Sequence, residues 1–187
     1  MALGVDEVIA LFDRRGVEMY GSEAVNQREH ALQCAALAAE NGASAELIAA
    51  CLLHDLGHLV AERAHEIGET VDDVHQYLAI PFLRGTFPEG VLQPIRLHVD
   101  AKRYLCEADP GYLDQLSPAS RHSLELQGGI FNRAQSERFT SNPHAFDAVR
   151  LRRWDDQAKS PGRSTPSLSE FAVVLRAVAR VPEKLIG

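Results

Sequence analysis

An all-α fold is predicted, and three observations predict it. Apolar residues recur at helical spacing along nearly the whole chain. Those runs are bracketed by cap residues at their starts and by glycine or proline at their ends. The one strand-like run, Val173-Val174-Leu175, has polar neighbours that also repeat with helical spacing.

The elements follow in order. Val5, Ile9, Leu11 and Phe12 make a helix from Val5 to Arg15, which Gly16 stops. Glu18 to Ser22 is a loop. A second helix is expected from about Ala24 to Glu40, closed by Asn41-Gly42. Ser44 caps a third, which runs to His54-Asp55 and is loosened by Gly57. Val71 to Leu83 is amphipathic, with Pro81 expected to kink or end it. Glu89 to Val99 forms another helix that Pro94 can split. Ser117-Pro118 opens a helix to about Leu126, because proline suits the first helical position. A short helix spans Arg133 to Phe139, and a longer one runs from His144 to about Lys159. After a proline- and serine-rich loop, Ser167 or Ser169 caps a last helix through Phe171, Val174, Leu175 and Val178.

With 187 residues, 45% hydrophobic and 24% charged, the chain has the length and composition of a single globular domain over residues 1–187. A formal charge of −7 argues against a nucleic-acid backbone or an anionic membrane as partner, but not against a small anionic substrate. No secretory leader or membrane-spanning run is evident, so a cytoplasmic location is expected. Cys34, Cys51 and Cys106 lack zinc-type spacing; Cys34 and Cys51 sit in aliphatic helical runs as reduced core residues.

The stretch Leu52-Leu53-His54-Asp55-Leu56-Gly57-His58 carries the strongest chemical signal. An adjacent His-Asp pair at a helix end supplies two metal ligands, and the carboxylate has a second oxygen for another ion. Alone, the pair would be a polar helix end, His30 a satisfied core histidine, and Arg152, Asp155 and Lys159 a surface charge ladder on one helical face. What distinguishes them is their order along separate helices: His30, then His54-Asp55, then His75, then His98, then Asp155.

These residues resemble the HD-domain superfamily of metal-dependent phosphohydrolases and oxygenases. The resemblance covers nearly the whole chain and is closest to the mixed-valent diiron oxygenase branch, which includes myo-inositol oxygenase and small dioxygenases that cleave carbon–phosphorus bonds. It is carried by Tyr20-Gly-Ser-Glu23, Gln27 to Gln33, Leu53 to His58, His98 to Leu105, Ser120 to Gly129 and Arg152 to Lys159. The His-Asp pair is generic to the superfamily; the first and last segments are more specific.

The resemblance implies two irons as an Fe(II)/Fe(III) pair, with dioxygen as co-substrate. One iron would be held by His30, His54, Asp55 and Asp155; the other by His75, His98 and the second oxygen of Asp55. Tyr20 would close the second iron when substrate is absent. Glu23 would read the substrate amine, and His58, Lys102, Arg152, Ser120 and Ser123 would hold a phosphonate. Two positions have competitors. His65 competes with His75, which is favoured because it begins an amphipathic helix. Asp156 competes with Asp155, which the family pattern favours. His122 and His144 are left as surface residues.

The implied reaction is oxygen-dependent cleavage of a 1-hydroxylated aminoalkylphosphonate, 2-amino-1-hydroxyethylphosphonate or an N-methylated relative, to glycine or betaine and phosphate. A phosphohydrolase acting on a nucleotide or phosphate ester is the alternative, since Lys102 and Arg152 would serve it equally. Tyr20 with Glu23 favours the oxygenase.

Overall fold

The computed structural model describes residues 2–20, 22–60 and 74–180, and among these the chain is all-α. The only β-type pairing there is a single bridge between Met19 and Asn26. Helix α1 (Val5–Arg15) begins at Gly4, whose N–H donates to Glu7 Oε2 at 2.7 Å. Helix α2 (Gln27–Glu40) starts three residues later than the sequence pattern suggests. Asn26 and Glu29 form a reciprocal capping box, and the bridge to Met19 goes with an extended backbone at Asn26, outside the helix.

Helix α3 (Ala45–Leu53) opens on the expected Ser44 cap and hands over at His54 to the short α4 (Leu56–Val60). Gly57 does not loosen the chain there. It lies against α5 (His75–Leu78), and a Cβ at Gly57 would collide with the His75 carbonyl oxygen. Glycine is the residue that lets His75 approach the His54-Asp55 turn. Gly57→Ala is therefore expected to lower stability by about 1–3 kcal/mol. It should also reduce metal uptake at the His75 side, read by denaturant titration and metal analysis.

The amphipathic stretch expected from Val71 is described only from residue 74; His65 also lies outside the described residues. The break expected at Pro81 is present: α5 ends at Leu78, and Pro81 sits in the first turn of α6 (Ile80–Leu83), where its missing N–H costs nothing. Helix α7 (Glu89–Ala108) passes Pro94 without a break and runs well beyond Val99. Pro94 is buried, and the packing of α7 against α3 and α11 outweighs the lost hydrogen bond. This continuity puts His98 and Lys102 one turn apart on one face.

Tyr112–Gln115 forms α8, a short helix the sequence pattern does not announce. Then come α9 (Pro118–Leu126), α10 (Arg133–Thr140), α11 (Ala145–Gln157) and α12 (Leu168–Val178). Helix α11 stops at Gln157, short of the expected Lys159. The chain is pulled out of helical register by tertiary bonds: the Ala158 carbonyl meets His30 Nδ1 at 2.9 Å, and Gln33 bonds both the N–H and C=O of Ser160. Lys159 thus leaves the helical face it was expected to share with Arg152 and Asp155.

The main core joins α1, α2, α3, α7, α11 and α12 through Phe12, Leu37, Leu53, Ile95, Leu151 and Leu175. Each such side chain contributes about 1.5–3 kcal/mol of burial. Helix α2 buries alanines on several sides, so it is enclosed and can carry His30 to the centre of the bundle. Cys34 and Cys51 are buried free thiols, and Cys106 is half-buried. No helix of the described residues is long and apolar enough to cross a membrane.

Candidate metal centre

Four helices and one helix junction bring six donors together. His30 comes from α2, His54 and Asp55 from the α3–α4 junction, His75 from the start of α5, His98 from α7 and Asp155 from α11. All six are buried. His30 Nε2 and His54 Nε2 lie 3.2 Å apart, and His75 Nε2 and His98 Nε2 lie 3.0 Å apart. Ring nitrogens sharing one ion at metal–nitrogen distances of about 2.0–2.1 Å sit at about this separation.

Asp55 stands between the two pairs. Its Oδ2 is 3.3 Å from His54 Nε2 and 3.6 Å from His30 Nε2, while Oδ1 is 3.1 Å from His75 Nε2 and 3.7 Å from His98 Nε2. Each carboxylate oxygen thus faces a different histidine pair. Asp155 adds a carboxylate to the first pair, with Oδ1 3.3 Å from His30 Nε2 and Oδ2 3.8 Å from His54 Nε2.

The donor set fits divalent or trivalent cations on two counts. Among the described residues, Asp55 Oδ2 is buried without a hydrogen-bond donor, an arrangement that is costly unless a cation answers it. Three rings are also held by their far nitrogens: His30 Nδ1 to the Ala158 carbonyl at 2.9 Å, His54 Nδ1 to Cys51 at 2.8 Å and His98 Nδ1 to Ile95 at 2.7 Å. A carbonyl oxygen only accepts hydrogen bonds, so each Nδ1 is the N–H donor and each Nε2 is left facing the centre, where a cation can take its lone pair in place of a proton.

Electrostatics agree. Burial opposes ionisation of Asp55, but His54 and His75 outweigh it and hold the carboxyl well below its usual range. Asp155 is likewise held low against burial, mainly by Arg152 and then by His30 and His54. Against its own burial, His54 is pushed up to about 10, chiefly by Asp55. Burial and the neighbouring His75 and His54 push His98 the other way. The centre is a pocket of negative potential that attracts cations.

Asp155 and Asp156 are separated clearly. Asp156 turns away, accepting from Tyr112 Oη and from Arg152. Arg152 donates through Nη1 to Asp155 Oδ2 at 2.7 Å, and its Nε lies 3.3 Å from Tyr112 Oη. It does line the cavity, but as a guanidinium braced on both aspartates.

The six donors lie beside a cavity of about 860 Å³, which Asp55, His75, His98 and Asp155 line directly. The expected substrate contacts Glu23, His58, Lys102, Ser120, Ser123 and Arg152 all line it too. Lys102, only 2% exposed, donates from Nζ to Ser123 Oγ at 2.7 Å. His58 stacks on His75, ring centres 4.3 Å apart, and is close enough to Asp55 and His75 to share an ion with them.

Tyr20 stacks on His30 at 3.8 Å, with its hydroxyl 3.5 Å from Asp155 Oδ1. Those contacts lie on the His30 side of the centre, whereas the resemblance puts Tyr20 over the other pair. Burial, with Asp155 and Asp55, raises the phenol well above its ordinary pKa, so Tyr20 is a hydrogen-bond donor here. His122 is exposed and His144 sits half-buried at the start of α11; neither lines the cavity.

The lining also includes Gln27 and Gln127, which were given no role from the sequence, and Lys159, which was read only as part of a surface charge ladder. Gln127 Oε1 is buried without a hydrogen-bond partner among the described residues. Only the docking of α9 against the site exposes this, since a glutamine before Gly-Gly reads as an ordinary helix end.

No family model matches the chain. Curated relatives do. A protein of Leisingera caerulea, named 1-hydroxy-2-(trimethylamino)ethylphosphonate dioxygenase (glycine-betaine-forming), is 38% identical over 184 residues, covering 98% of this chain and 92% of the relative. A hydroxymethylphosphonate dioxygenase of Gimesia maris is 43% identical over 171 residues, covering 89% of this chain and 84% of the relative. Together with a buried His/Asp cluster suited to metal, these likenesses mean that the chain belongs to the phosphonate dioxygenase family.

Proposed function

We propose that the chain cleaves the carbon–phosphorus bond of a 1-hydroxylated aminoalkylphosphonate with dioxygen, giving a carboxylate and phosphate. The substrate class is 2-amino-1-hydroxyethylphosphonate or an N-methylated relative, with glycine or betaine as product. The observation that carries this reading is the position of Asp55: its two oxygens face separate histidine pairs on the floor of a cavity walled by Lys102, Arg152, Ser120 and Ser123.

His30, His54, Asp55 and Asp155 would hold one iron, and His75, His98 and Asp55 the other, as a mixed-valent pair. Imidazole and carboxylate donors with open positions suit iron. The irons supply the redox chemistry with dioxygen that oxidises C1 of the substrate.

The rest is the work of the chain's own side chains. Lys102 turns from Ser123 Oγ toward the phosphonate, and Ser120 and Ser123 add hydroxyl donors. Arg152, whose nitrogens already serve Asp155 and Asp156, presents its remaining N–H groups while keeping Asp155 oriented. His58, on the cavity side of His75, donates to a phosphonate oxygen. Tyr20 covers the centre and yields its place to the substrate. Glu23 accepts from the amine at the far end.

Glu23→Ala tests that last assignment. It is expected to raise KM for 2-amino-1-hydroxyethylphosphonate by about tenfold or more, as loss of a charge-assisted bond does. Metal content should stay at the wild-type level. Loss of metal in this variant would contradict the assignment. The function itself is tested by product analysis: iron-loaded protein in air should release glycine and phosphate together. Hydrolysis of a nucleotide with manganese would replace this reading with the phosphohydrolase.

A further inference from the structure

The Glu23 end of the cavity is built as an ion pair. Glu23 Oε1 accepts from Lys159 Nζ at 2.8 Å and from Ser117 Oγ at 2.7 Å. Lys159 Nζ also lies 3.2 Å from Ser117 Oγ and 3.2 Å from Ser120 Oγ, so its three donors all have acceptors. The two side chains are only 17% and 13% exposed. Nζ stands 5.8 Å from the centre of the Tyr20 ring. Lys159 therefore ties the loop that carries Tyr20 and Glu23 to the helix that carries Ser120 and Ser123.

This has a consequence for what the cavity accepts. Burial raises the Glu23 pKa, but Lys159 and Ser117 more than offset it and keep the carboxylate ionised. Its charge is nevertheless matched by the lysine beside it, so this end of the cavity is close to neutral. Both partners use Oε1, which leaves Oε2 to a donor arriving from the cavity. A primary ammonium has such donors. A quaternary ammonium has none and depends on uncompensated negative charge or on an aromatic cage. Neither is at hand among the described residues: Tyr20 lines the cavity but is stacked on His30 and has Lys159 Nζ beside its ring, Tyr104 packs against Phe139, and Trp154 lies in the main core.

We propose that Lys159 sets the substrate range by occupying Glu23, closing this end of the cavity to a quaternary ammonium head. A head group that donates hydrogen bonds, or no head group at all, is accepted. The proposal rests on the carbon–phosphorus reading above and narrows it. Lys159 is a positioning residue here, acting through Glu23 and not on the reacting carbon.

The test compares hydroxymethylphosphonate, 2-amino-1-hydroxyethylphosphonate and 1-hydroxy-2-(trimethylamino)ethylphosphonate on the iron-loaded protein. The wild type should favour the first two over the quaternary compound by about tenfold or more in kcat/KM. Lys159→Met should move the ratio of quaternary to primary amine upward by about tenfold, because it unmasks the Glu23 charge. Glu23→Gln should also raise that ratio, because the primary amine loses its charge-assisted bond and the quaternary head has none to lose, and adding Lys159→Met to it should raise the ratio no further. Equal losses on all three substrates in Lys159→Met would assign the lysine a merely structural part and overturn the proposal. So would a wild type that prefers the quaternary compound. Should Lys159→Met not fold, Lys159→Gln carries the comparison in its place. Calorimetric binding of the three phosphonates without oxygen reads selectivity independently of turnover. Tight, selective binding with no turnover in air would sink the oxygenase reading and leave the selectivity proposal standing.

Discussion

Asp55→Asn is expected to abolish activity, with kcat falling by about a thousandfold or more. Among the described residues, the carboxylate is the one group that reaches both histidine pairs, Oδ2 toward His54 and His30, Oδ1 toward His75 and His98. Asparagine keeps one oxygen, loses the charge, and puts N–H donors where a second ligand atom is needed. At least one metal equivalent should therefore be lost, because the amide cannot serve both ions. Metal analysis and kcat on the same preparation check this. Thermal unfolding of the metal-stripped variant should come at a lower temperature than that of the metal-stripped wild type, since the variant loses the carboxylate that His54 and His75 hold ionised. A variant that keeps both metals and turns over normally would show that Asp55 is not shared.

The second large effect concerns Lys102. Its ammonium is almost wholly buried at the cavity wall and reaches Ser123 Oγ. On the proposed reading, this buried ammonium meets the phosphonate dianion, and an ion pair away from water is strong. Lys102→Met keeps the aliphatic bulk and removes the charge. It should lower kcat/KM by about 30- to 1,000-fold, the usual range for truncating one side of a buried charge pair. Most of the loss should be in KM, because the dianion is bound in ground state and transition state alike. Metal content should not change. Steady-state kinetics at saturating oxygen separate the two constants; a pure kcat loss would mean that Lys102 acts on the chemistry and not on binding.

Much of the fold was legible because it depends on local rules. Ser44, Ser117 and Ser167 cap helices as their spacing implies, and Pro118 opens one. What failed depended on tertiary contact. Pro94 reads as a break, yet α7 is packed along its length and passes it. Gly57 reads as slack, yet it is the point where His75 is admitted. Helix α11 was expected to reach Lys159; bonds from His30 and Gln33, remote in sequence, end it earlier.

The candidate site follows the same division. The ordered donors His30, His54-Asp55, His75, His98 and Asp155 could be picked out because each lies on its own helical run. The choice between Asp155 and Asp156 could not be made from helix phase. It turns on Tyr112, carried by the unannounced α8, which draws Asp156 away. The side of the centre that Tyr20 covers, the ion pair of Lys159 with Glu23 and the orphaned Gln127 oxygen are products of loop docking, on which periodicity is silent.

Oxygen dependence tests the central claim most directly. Iron-loaded protein is given 2-amino-1-hydroxyethylphosphonate, and phosphate release is followed in air and in the rigorous absence of oxygen. The parallel sample uses isotopically labelled dioxygen. Phosphate should appear only with oxygen, matched by glycine whose carboxylate carries the label. Equal phosphate release without oxygen, or glycine with no label, would contradict oxygen-dependent cleavage of the carbon–phosphorus bond.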